Sequence, residues 1–284
     1  RCLSEAKVTS ECLDHLGDKA GTVHQFFKDD LFPNNYPLMD GNFREAGPEK
    51  MVIQHTEIPF TKGFSNPNPD KLASIKHIVD KMLQQNVIER AVNSPYSSPC
   101  FVVPKKHKPG ETDPQKLWRL VQDYRKLNDV TVCDDYKPPP IESCLRALQR
   151  AKYFTFLDLT AGFWNMGMHE DSKLATTFSI PGLGSFTFNR CPMGLKNTPA
   201  HFQRHMDIML DDYLWSIALA YIDDICIYSD TVEDHMTHLS LVFKRLKDHG
   251  HSIRLDKCSF FQQEADWLGY HVTSNGLQPQ ARHV

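Results

Sequence analysis

The stretch Ile217-Ala218-Leu219-Ala220-Tyr221-Ile222-Asp223-Asp224-Ile225-Cys226-Ile227-Tyr228 places two adjacent carboxylates between two apolar runs. Each run has the length and the aliphatic and aromatic composition of a short strand, so the pattern predicts two strands that meet at Asp223-Asp224. A carboxylate buried without a partner is costly, and it is therefore neutralised, paired or bound to a metal ion. An ordinary aspartate-rich hairpin turn is the simpler interpretation of this stretch taken alone.

A second apolar stretch, Phe154-Thr155-Phe156-Leu157-Asp158-Leu159, carries one more carboxylate. If this strand lies beside the 217–228 hairpin, the side chains of Asp158, Asp223 and Asp224 converge. Three carboxylates at one point can hold two Mg²⁺ ions about 4 Å apart, which is the arrangement that phosphoryl transfer needs. The two stretches together therefore favour a metal site over a plain turn.

The chain has 284 residues, a net charge of −3 and a hydrophobic content of 40%, which is typical of a globular protein with one large or two small domains. Basic residues are concentrated at 101–126 and acidic residues at 207–234. This separation suits a protein that binds phosphates with one region and divalent cations with another. Two solvated faces would give the same pattern.

Eight cysteines are scattered along the chain without a C-x-x-C pair, so neither a zinc knuckle nor a redox motif is expected. Several of them lie in apolar runs, which predicts buried free thiols and a reducing, intracellular compartment. No apolar run approaches the length of a membrane span, and no membrane partner is expected.

Helical and strand periodicities are mixed without a regular βαβ rhythm, which indicates an α+β fold. Helices are predicted from Asp70 to about Asn86 and from Thr198 onward. Strands are predicted at 99–104, 118–124 and 153–159, and a hairpin is predicted within 175–188. Residues 1–45 show no strong period and contain several turn-forming pairs, so a loosely ordered lead-in linker is expected there.

An ordered set of motifs runs from about His55 to Pro279. Residues 118–128 read W-R-L-V-Q-D-Y-R-K-L-N, and residues 192–203 read P-M-G-L-K-N-T-P-A-H-F-Q. The other members lie at residues 94–99, 156–163, 221–224, 257–258 and 267–270. In this order and at these spacings the set resembles the reverse transcriptases, and among them those of gypsy-type long-terminal-repeat retrotransposons.

The resemblance implies a right-hand polymerase fold in which helices pack on an antiparallel palm sheet. It implies fingers at 46–132 and 166–197, and a palm at 133–165 and 198–278. It also implies that residues 279–284 begin a thumb that is otherwise absent. The expected chain is thus a fragment of a Pol polyprotein, with the thumb, ribonuclease H and integrase regions downstream.

By matching positions, the resemblance implies that Asp158, Asp223 and Asp224 are the catalytic residues and the ligands of two Mg²⁺ ions, with Mn²⁺ as an alternative. Arg119 and Lys105, or Lys106 in the alternative register, match residues of the fingers that contact the incoming triphosphate. A guanidinium and an ammonium suit a polyphosphate leaving group. A solvated loop is the simpler interpretation of the lysines.

The remaining implied roles concern the nucleotide and the nucleic acid. Phe163 matches an aromatic gate that excludes a ribose 2′-hydroxyl, although a core phenylalanine is the simpler interpretation. The other matches are Met193 and Gln203 beside the nucleotide, and Tyr221, Lys196, Leu268 and Gly269 beside primer and template. Met193 replaces a usual phenylalanine and Thr198 a usual small residue, so altered fidelity rather than inactivity is expected.

The implied reaction is that of an RNA-directed DNA polymerase, which adds deoxynucleotides (dNTPs) to a primer 3′ end on an RNA or DNA template. The implied location is the cytoplasm, in a virus-like particle, with the nucleus as an alternative. Two other functions stay open. One is a catalytically silent, domesticated relic that binds nucleic acid, and the other is an RNA-dependent RNA polymerase, against which Tyr221 and Phe163 argue.

Overall fold

The computed structural model describes residues 2–40, 42, 44–59, 69–106, 109–149, 151–273 and 276–279. The α-helices are α1 (Cys2–Glu5), α2 (Ala20–Phe26), α3 (Phe32–Asn34), α4 (Pro69–Gln84), α5 (Pro114–Leu117), α6 (Arg125–Val130), α7 (Ile141–Leu148), α8 (Glu170–Lys173), α9 (Thr198–Leu210) and α10 (Val232–Asp248). Tighter helical turns lie at Glu11–Lys19, Tyr36–Leu38, Gly162–Asn165, Leu174–Thr176 and Leu255–Lys257, and a π-helical turn lies at Phe27–Leu31.

The strands are β1 (Lys50–Met51), β2 (Ile88–Arg90), β3 (Cys100–Pro104), β4 (Trp118–Gln122), β5 (Tyr153–Asp158), β6 (Gly167–Met168), β7 (Phe178–Ile180), β8 (Gly184–Phe188), β9 (Ala218–Tyr221), β10 (Asp224–Ser229), β11 (Ser259–Gln262), β12 (Glu264–Trp267), β13 (Tyr270–Thr273) and β14 (Gly276–Pro279). Helices mixed with mostly antiparallel strands confirm the predicted α+β class. The helix from residue 69 and both predicted hairpins lie where periodicity placed them.

The chain divides into two units. The palm unit comprises Arg1–Gly47, Tyr136–Gly162 and Phe202–Val284, and the fingers unit comprises Pro48–Asp135 and Phe163–His201. These units begin or end at 48, 135, 163 and 201, within a few residues of the boundaries 46, 132, 166 and 197 expected for fingers and palm. The names palm and fingers are those of the prediction.

A four-stranded antiparallel sheet with the order β11-β5-β10-β9 forms the centre of the palm unit. The strands of this sheet are apolar because their side chains pack against other elements of the unit. Phe154, Cys226 and Leu219 are fully buried in one cluster with Leu145 and Leu148 of α7. A second antiparallel sheet, β12-β13-β14, contributes Trp267 and Val272 to the same cluster. Apolar burial of this kind supplies most of the free energy that holds such a sheet in place.

The expectation of a loosely ordered lead-in at residues 1–45 is wrong. Helical turns occupy most of residues 2–38, and they belong to the palm unit. The Phe27 ring is fully buried, with its centroid 5.2 Å from that of Phe260 in β11, and His15 Nε2 lies 2.8 Å from the carbonyl oxygen of Phe261. The segment lacks a clear helical period because its turns change between α, 3-10 and π geometry, so its buried residues are unevenly spaced.

The fingers unit contains a three-stranded sheet, β2-β8-β7, and a separate hairpin of β3 and β4. Phe178, Phe186 and Phe188 pack with ring centroids less than 6 Å apart and are almost fully buried. Tyr124, which follows β4, is buried and donates its hydroxyl to the Thr176 carbonyl at 3.0 Å. These contacts give the fingers unit its own core.

Within the described ranges, none of the helices has the length and apolar character needed to cross a membrane. Pro279 is the last residue of β14. The rest of the predicted thumb start, 280–284, lies outside the described residues.

Candidate active site

The two acidic stretches meet on the palm sheet, as predicted. β9 and β10 form a hairpin in which Tyr221 is the partner of Asp224, so Ile222 and Asp223 are the two turn residues. On the other side of β10, Asp224 is the direct partner of Asp158 at the end of β5. Directly opposed residues of an antiparallel pair have Cβ atoms about 5 Å apart. Strand pairing alone therefore brings all three carboxylates to one end of the sheet.

The three negative charges influence one another. The pKa of Asp224 is raised to about 6, chiefly by desolvation and then by the charges of Asp223 and Asp158, while Lys257 acts in the opposite direction. Lys257 Nζ lies 3.4 Å from Asp158 Oδ2. The site is therefore an acidic cluster with one cation of the protein beside it.

We asked whether these residues fit a divalent cation. Among the residues that the structure describes, no three His, Cys, Asp or Glu side chains are grouped closely enough to hold a metal ion in their present rotamers. The donor chemistry nevertheless fits, because the set consists of carboxylate oxygens, which hard divalent cations prefer, and because their mutual repulsion raises the pKa of Asp224. Asp158, Asp223 and Asp224 are thus the residues that would hold such an ion.

The turn that carries Asp223 has a strained backbone. Ile222 has a φ of 55°, in the left-handed region that β-branched residues strongly disfavour. Its backbone N–H donates to Gln203 Oε1 at 2.7 Å, and Gln203 Nε2 donates to the Ala220 carbonyl at 3.1 Å. Gln203 is fully buried. Its amide is thus enclosed by the protein and bonded to the hairpin. The nucleotide contact expected for Gln203 stays a prediction.

A second hairpin of the palm unit carries Leu268 and Gly269. Trp267 and Tyr270 are partners, and both turn residues have positive φ, 50° and 84°, as in the tight turns that connect two strands. Leu268 packs against the same buried cluster as Tyr221 of the acidic hairpin. The structure thus brings the Leu268 turn and Tyr221 to one cluster, while their roles toward primer and template remain predictions.

The basic residues predicted to contact a triphosphate lie on the β3–β4 hairpin of the fingers unit. Arg119 is exposed and is the partner of Val103, and Lys105 N–H donates to the Leu117 carbonyl at 2.8 Å, so the ladder continues beyond β3. Lys106 is exposed as well. One hairpin therefore presents all three side chains, and their binding role remains a prediction.

The other predicted residues of the fingers unit differ in surroundings. Met193 is 51% exposed and precedes Gly194, whose φ of 90° only glycine adopts readily. The Lys196 ammonium donates to the carbonyls of Thr131, at 3.0 Å, and Asn128, so it is engaged at the end of α6 although the side chain is exposed. Phe163 is half-buried in the turn Gly162–Asn165, and its role as a gate stays a prediction.

Two further residues at the site lie in the motifs quoted above, but the sequence analysis did not predict a role for them at the site. Lys257 is 99 positions from Asp158. The pairing of β11 with β5, and the hydrogen bond from the Arg254 N–H to the Asp158 carbonyl at 2.9 Å, bring this part of the chain to the acidic cluster. Gly162 lies so close to the turn that an added Cβ would be 3.3 Å from Phe202 Cζ and 3.5 Å from Asp223 Cβ. The lysine motif at 257–258 and the glycine four residues after Asp158 were the available signals.

An antiparallel sheet with three aspartates at one end of its neighbouring strands, in a chain that also forms a separate fingers unit, is characteristic of the right-hand polymerases. The more specific assignment comes from sequence: residues 103–272 match the family model "Reverse transcriptase (RNA-dependent DNA polymerase)". The chain belongs to this family.

The predicted resemblance to gypsy-type elements is confirmed by three relatives from Drosophila melanogaster. The retrovirus-related Pol polyproteins from transposons opus, 297 and gypsy are 36%, 42% and 36% identical over 89%, 72% and 74% of this chain. These matches cover 25%, 19% and 20% of the relatives. The chain thus spans about a quarter or less of the length of those polyproteins.

Solved structures support the fold. The crystal structure of the CSH mutant of prototype foamy virus protease-reverse transcriptase is similar over 98% of this chain and 35% of that chain, with a TM-score of 0.79 and 26% identity. The foamy viral enzyme in complex with an RNA/DNA hybrid gives a TM-score of 0.82 over 98% of this chain and 36% of that chain, at 24% identity. The predicted right-hand polymerase fold is confirmed.

Proposed function

We propose that this chain is the polymerase domain of a reverse transcriptase, which adds dNTPs to a primer 3′ end in the order set by an RNA or DNA template. The observation that carries the proposal is the pairing of Asp224 with Asp158 beside the Tyr221-Ile222-Asp223-Asp224 turn. Three carboxylates at one end of a sheet, in a member of the reverse transcriptase family, are suited to nucleotidyl transfer.

In the proposed reaction, the primer 3′-hydroxyl attacks the α-phosphate of the dNTP, a new phosphodiester bond forms, and pyrophosphate leaves. Divalent ions, Mg²⁺ or Mn²⁺, held by Asp158, Asp223 and Asp224 would lower the pKa of the attacking hydroxyl and neutralise charge on the leaving group. The protein's own contribution is to hold these carboxylates together at one end of the sheet. Arg119 and the lysines of the β3–β4 hairpin are the proposed contacts of the triphosphate, because a guanidinium stays charged at every working pH.

Phe163 is proposed to select deoxynucleotides. A phenyl ring at this position, five residues after Asp158, would collide with a 2′-hydroxyl, as the family resemblance implies. This proposal separates DNA synthesis from RNA synthesis, the second activity that the motifs left open.

The proposed partners follow from the relatives. The foamy viral enzyme has been solved with an RNA/DNA hybrid and with double-stranded DNA, and we propose that this chain binds both kinds of duplex. The relatives' names support a place in a longer Pol polyprotein, where thumb, ribonuclease H and integrase regions would assist it. Free cysteines, four of them buried, support the proposed setting in a reducing compartment such as the cytoplasm.

A primer-extension assay tests the proposal. The chain would be incubated with Mg²⁺ and a DNA primer on an RNA template, with either dNTPs or ribonucleotides, beside its Asp223→Asn variant. Extension with dNTPs by the wild-type chain alone is expected. Extension mainly with ribonucleotides would favour an RNA polymerase, and duplex binding without extension by either protein would favour a catalytically silent relic.

A further inference from the structure

We propose that Gln203 is a positioning residue for the acidic hairpin: its buried amide holds the Ile222 turn in the conformation that presents Asp223 to the divalent cations. The inference rests on the proposed function and adds to it a residue that does not touch the reacting atoms. The two hydrogen bonds of the amide to the hairpin give this role a defined geometry.

The first support is the number and direction of the bonds. Gln203 Oε1 accepts the Ile222 N–H at 2.7 Å, and Gln203 Nε2 donates to the Ala220 carbonyl at 3.1 Å. These two groups flank Tyr221 in the hairpin. A side-chain amide that bridges them fixes both the end of β9 and the first turn residue relative to α9.

The second support is backbone strain. A β-branched residue at a φ of 55° is less stable than in an extended conformation, and such a conformation persists only where its surroundings enforce it. The bond to Gln203 is the enforcing contact at the Ile222 N–H. If the bond is lost, the turn is expected to relax, and Asp223 follows Ile222 directly in the chain.

The third support is a pair of hydrogen bonds that orients the Gln203 amide. Gln203 Nε2 also donates to Asp207 Oδ1 at 2.8 Å, and the Tyr136 hydroxyl donates to the other oxygen, Asp207 Oδ2, at 2.5 Å. This bond raises the pKa of Tyr136 to about 12, so the phenol stays a donor. Because the Asp207 carboxylate can only accept, it holds the amide with Nε2 toward Asp207 and Oε1 toward Ile222. Tyr136, Asp207 and Gln203 thus form a directed chain that ends at the turn.

The main test compares Gln203→Leu with a matched control, Thr155→Val. Thr155 is also fully buried, lies on β5 and makes two buried hydrogen bonds, to His235 Nε2 and from the Phe261 N–H, but does not contact the turn. Both variants are expected to lower the melting temperature. Only Gln203→Leu is expected to lower kcat, by about tenfold to a hundredfold, with KM for dNTP within about twofold of wild type.

A second readout does not depend on catalysis. Electron paramagnetic resonance measures free Mn²⁺ and so gives the Kd for binding of Mn²⁺ to the chain in the absence of nucleotide. Gln203→Leu is expected to raise this Kd roughly tenfold, since contacts that orient metal ligands commonly contribute that much. Adding Ile222→Asn should restore part of the loss, because asparagine adopts the left-handed conformation more easily. A structural role alone predicts no such recovery.

The outcomes are separable. If Gln203→Leu lowers the melting temperature as Thr155→Val does and leaves kcat and the Mn²⁺ Kd unchanged, the clamp is refuted. A rise in KM for dNTP alone would favour a direct contact between Gln203 and the nucleotide instead. If Gln203→Leu does not fold, Tyr136→Phe takes its place. That milder change should lower kcat a few-fold, and an unchanged kcat would refute the proposal. A wild-type chain that extends no primer would refute the proposed function, while the Mn²⁺ measurement would still test the clamp.

Discussion

Lys257 Nζ lies 3.4 Å from Asp158 Oδ2, so the acidic cluster contains a positive charge supplied by the protein itself. Lys257 also lowers the pKa of Asp224, against the combined effect of desolvation and two neighbouring carboxylates. The lysine is half exposed and its partner partly so, which makes the pair weak and exchangeable rather than a fixed structural bridge. A divalent cation and Lys257 therefore compete for the same negative charge.

Lys257→Gln is accordingly expected to tighten Mn²⁺ binding several-fold in the absence of nucleotide, because a nearby repelling charge is removed. The measurement is Mn²⁺ binding followed by electron paramagnetic resonance at low ionic strength. Lys244→Gln is the matched control, since Lys244 pairs with Asp248 on α10 and makes no bond to the acidic cluster. Equal affinities for all three proteins would contradict the prediction.

Asp223→Asn is expected to reduce primer extension by at least about a hundredfold while duplex binding survives, since a proposed metal ligand is lost without a change in shape. Asp158→Asn should behave alike. The double variant should be little worse than either single one, because the carboxylates act as one unit. The measurements are single-turnover rates and the Kd for duplex binding of each variant. A double variant whose rate falls by the product of the two single reductions would argue against a shared metal site.

Phe163→Val is expected to admit ribonucleotides. The smaller side chain removes the proposed collision with the 2′-hydroxyl while keeping an apolar group in the half-buried turn. The quantity to compare is kcat/KM for a deoxynucleotide divided by that for the matching ribonucleotide. An unchanged ratio, with a lowered melting temperature, would assign Phe163 to packing.

Gly162→Ala is expected to lower kcat, because the new Cβ would lie 3.3 Å from Phe202 Cζ and would force this ring to shift beside Asp223, whose Cβ would be in ordinary contact at 3.5 Å. Gly21→Ala is the control: Gly21 lies inside α2 and nothing is within 4 Å of its added Cβ. That change should leave activity intact and stabilise the helix by up to about 1 kcal/mol. Equal activity of both variants would show that the turn tolerates the contact.

Stability is expected to fall as pH drops below about 6.5. Burial lowers the pKa of His235 and of His251 to about 3, whereas both imidazoles protonate near pH 6.5 in the unfolded chain. Between these values the unfolded state binds more protons, so protonation favours unfolding. Asp224 has the opposite effect. Because its pKa is raised to about 6 in the folded chain, the folded state binds a proton there that the unfolded state does not. The net difference of about one proton corresponds to roughly 1.4 kcal/mol per pH unit.

Urea unfolding at pH 7, 6 and 5 measures this slope. His251→Gln removes one of the two buried imidazoles and should abolish most of it. A wild-type slope that the substitution leaves unchanged would show that other groups cause the acid sensitivity.

Sequence by itself determined much of this protein. The apolar runs on either side of Asp158 and of Asp223-Asp224 predicted the central strands, because strand formation depends on local composition and spacing. The order of the motifs identified the family, and with it the acidic site. Strands and motifs of this kind can be predicted from sequence because the residues that define them are neighbours in the chain.

Tertiary structure alone decided the rest. The helical character of residues 2–38 depends on burial of Phe27 against Phe260, a contact across more than two hundred residues. The approach of Lys257 to Asp158 depends on the pairing of β11 with β5. Gln203 was placed beside the nucleotide by its motif, yet its amide is buried and bonded to Ile222. Hydrogen-bond partners and burial are properties of packed neighbours, and no local pattern of residues specifies which distant neighbours those will be.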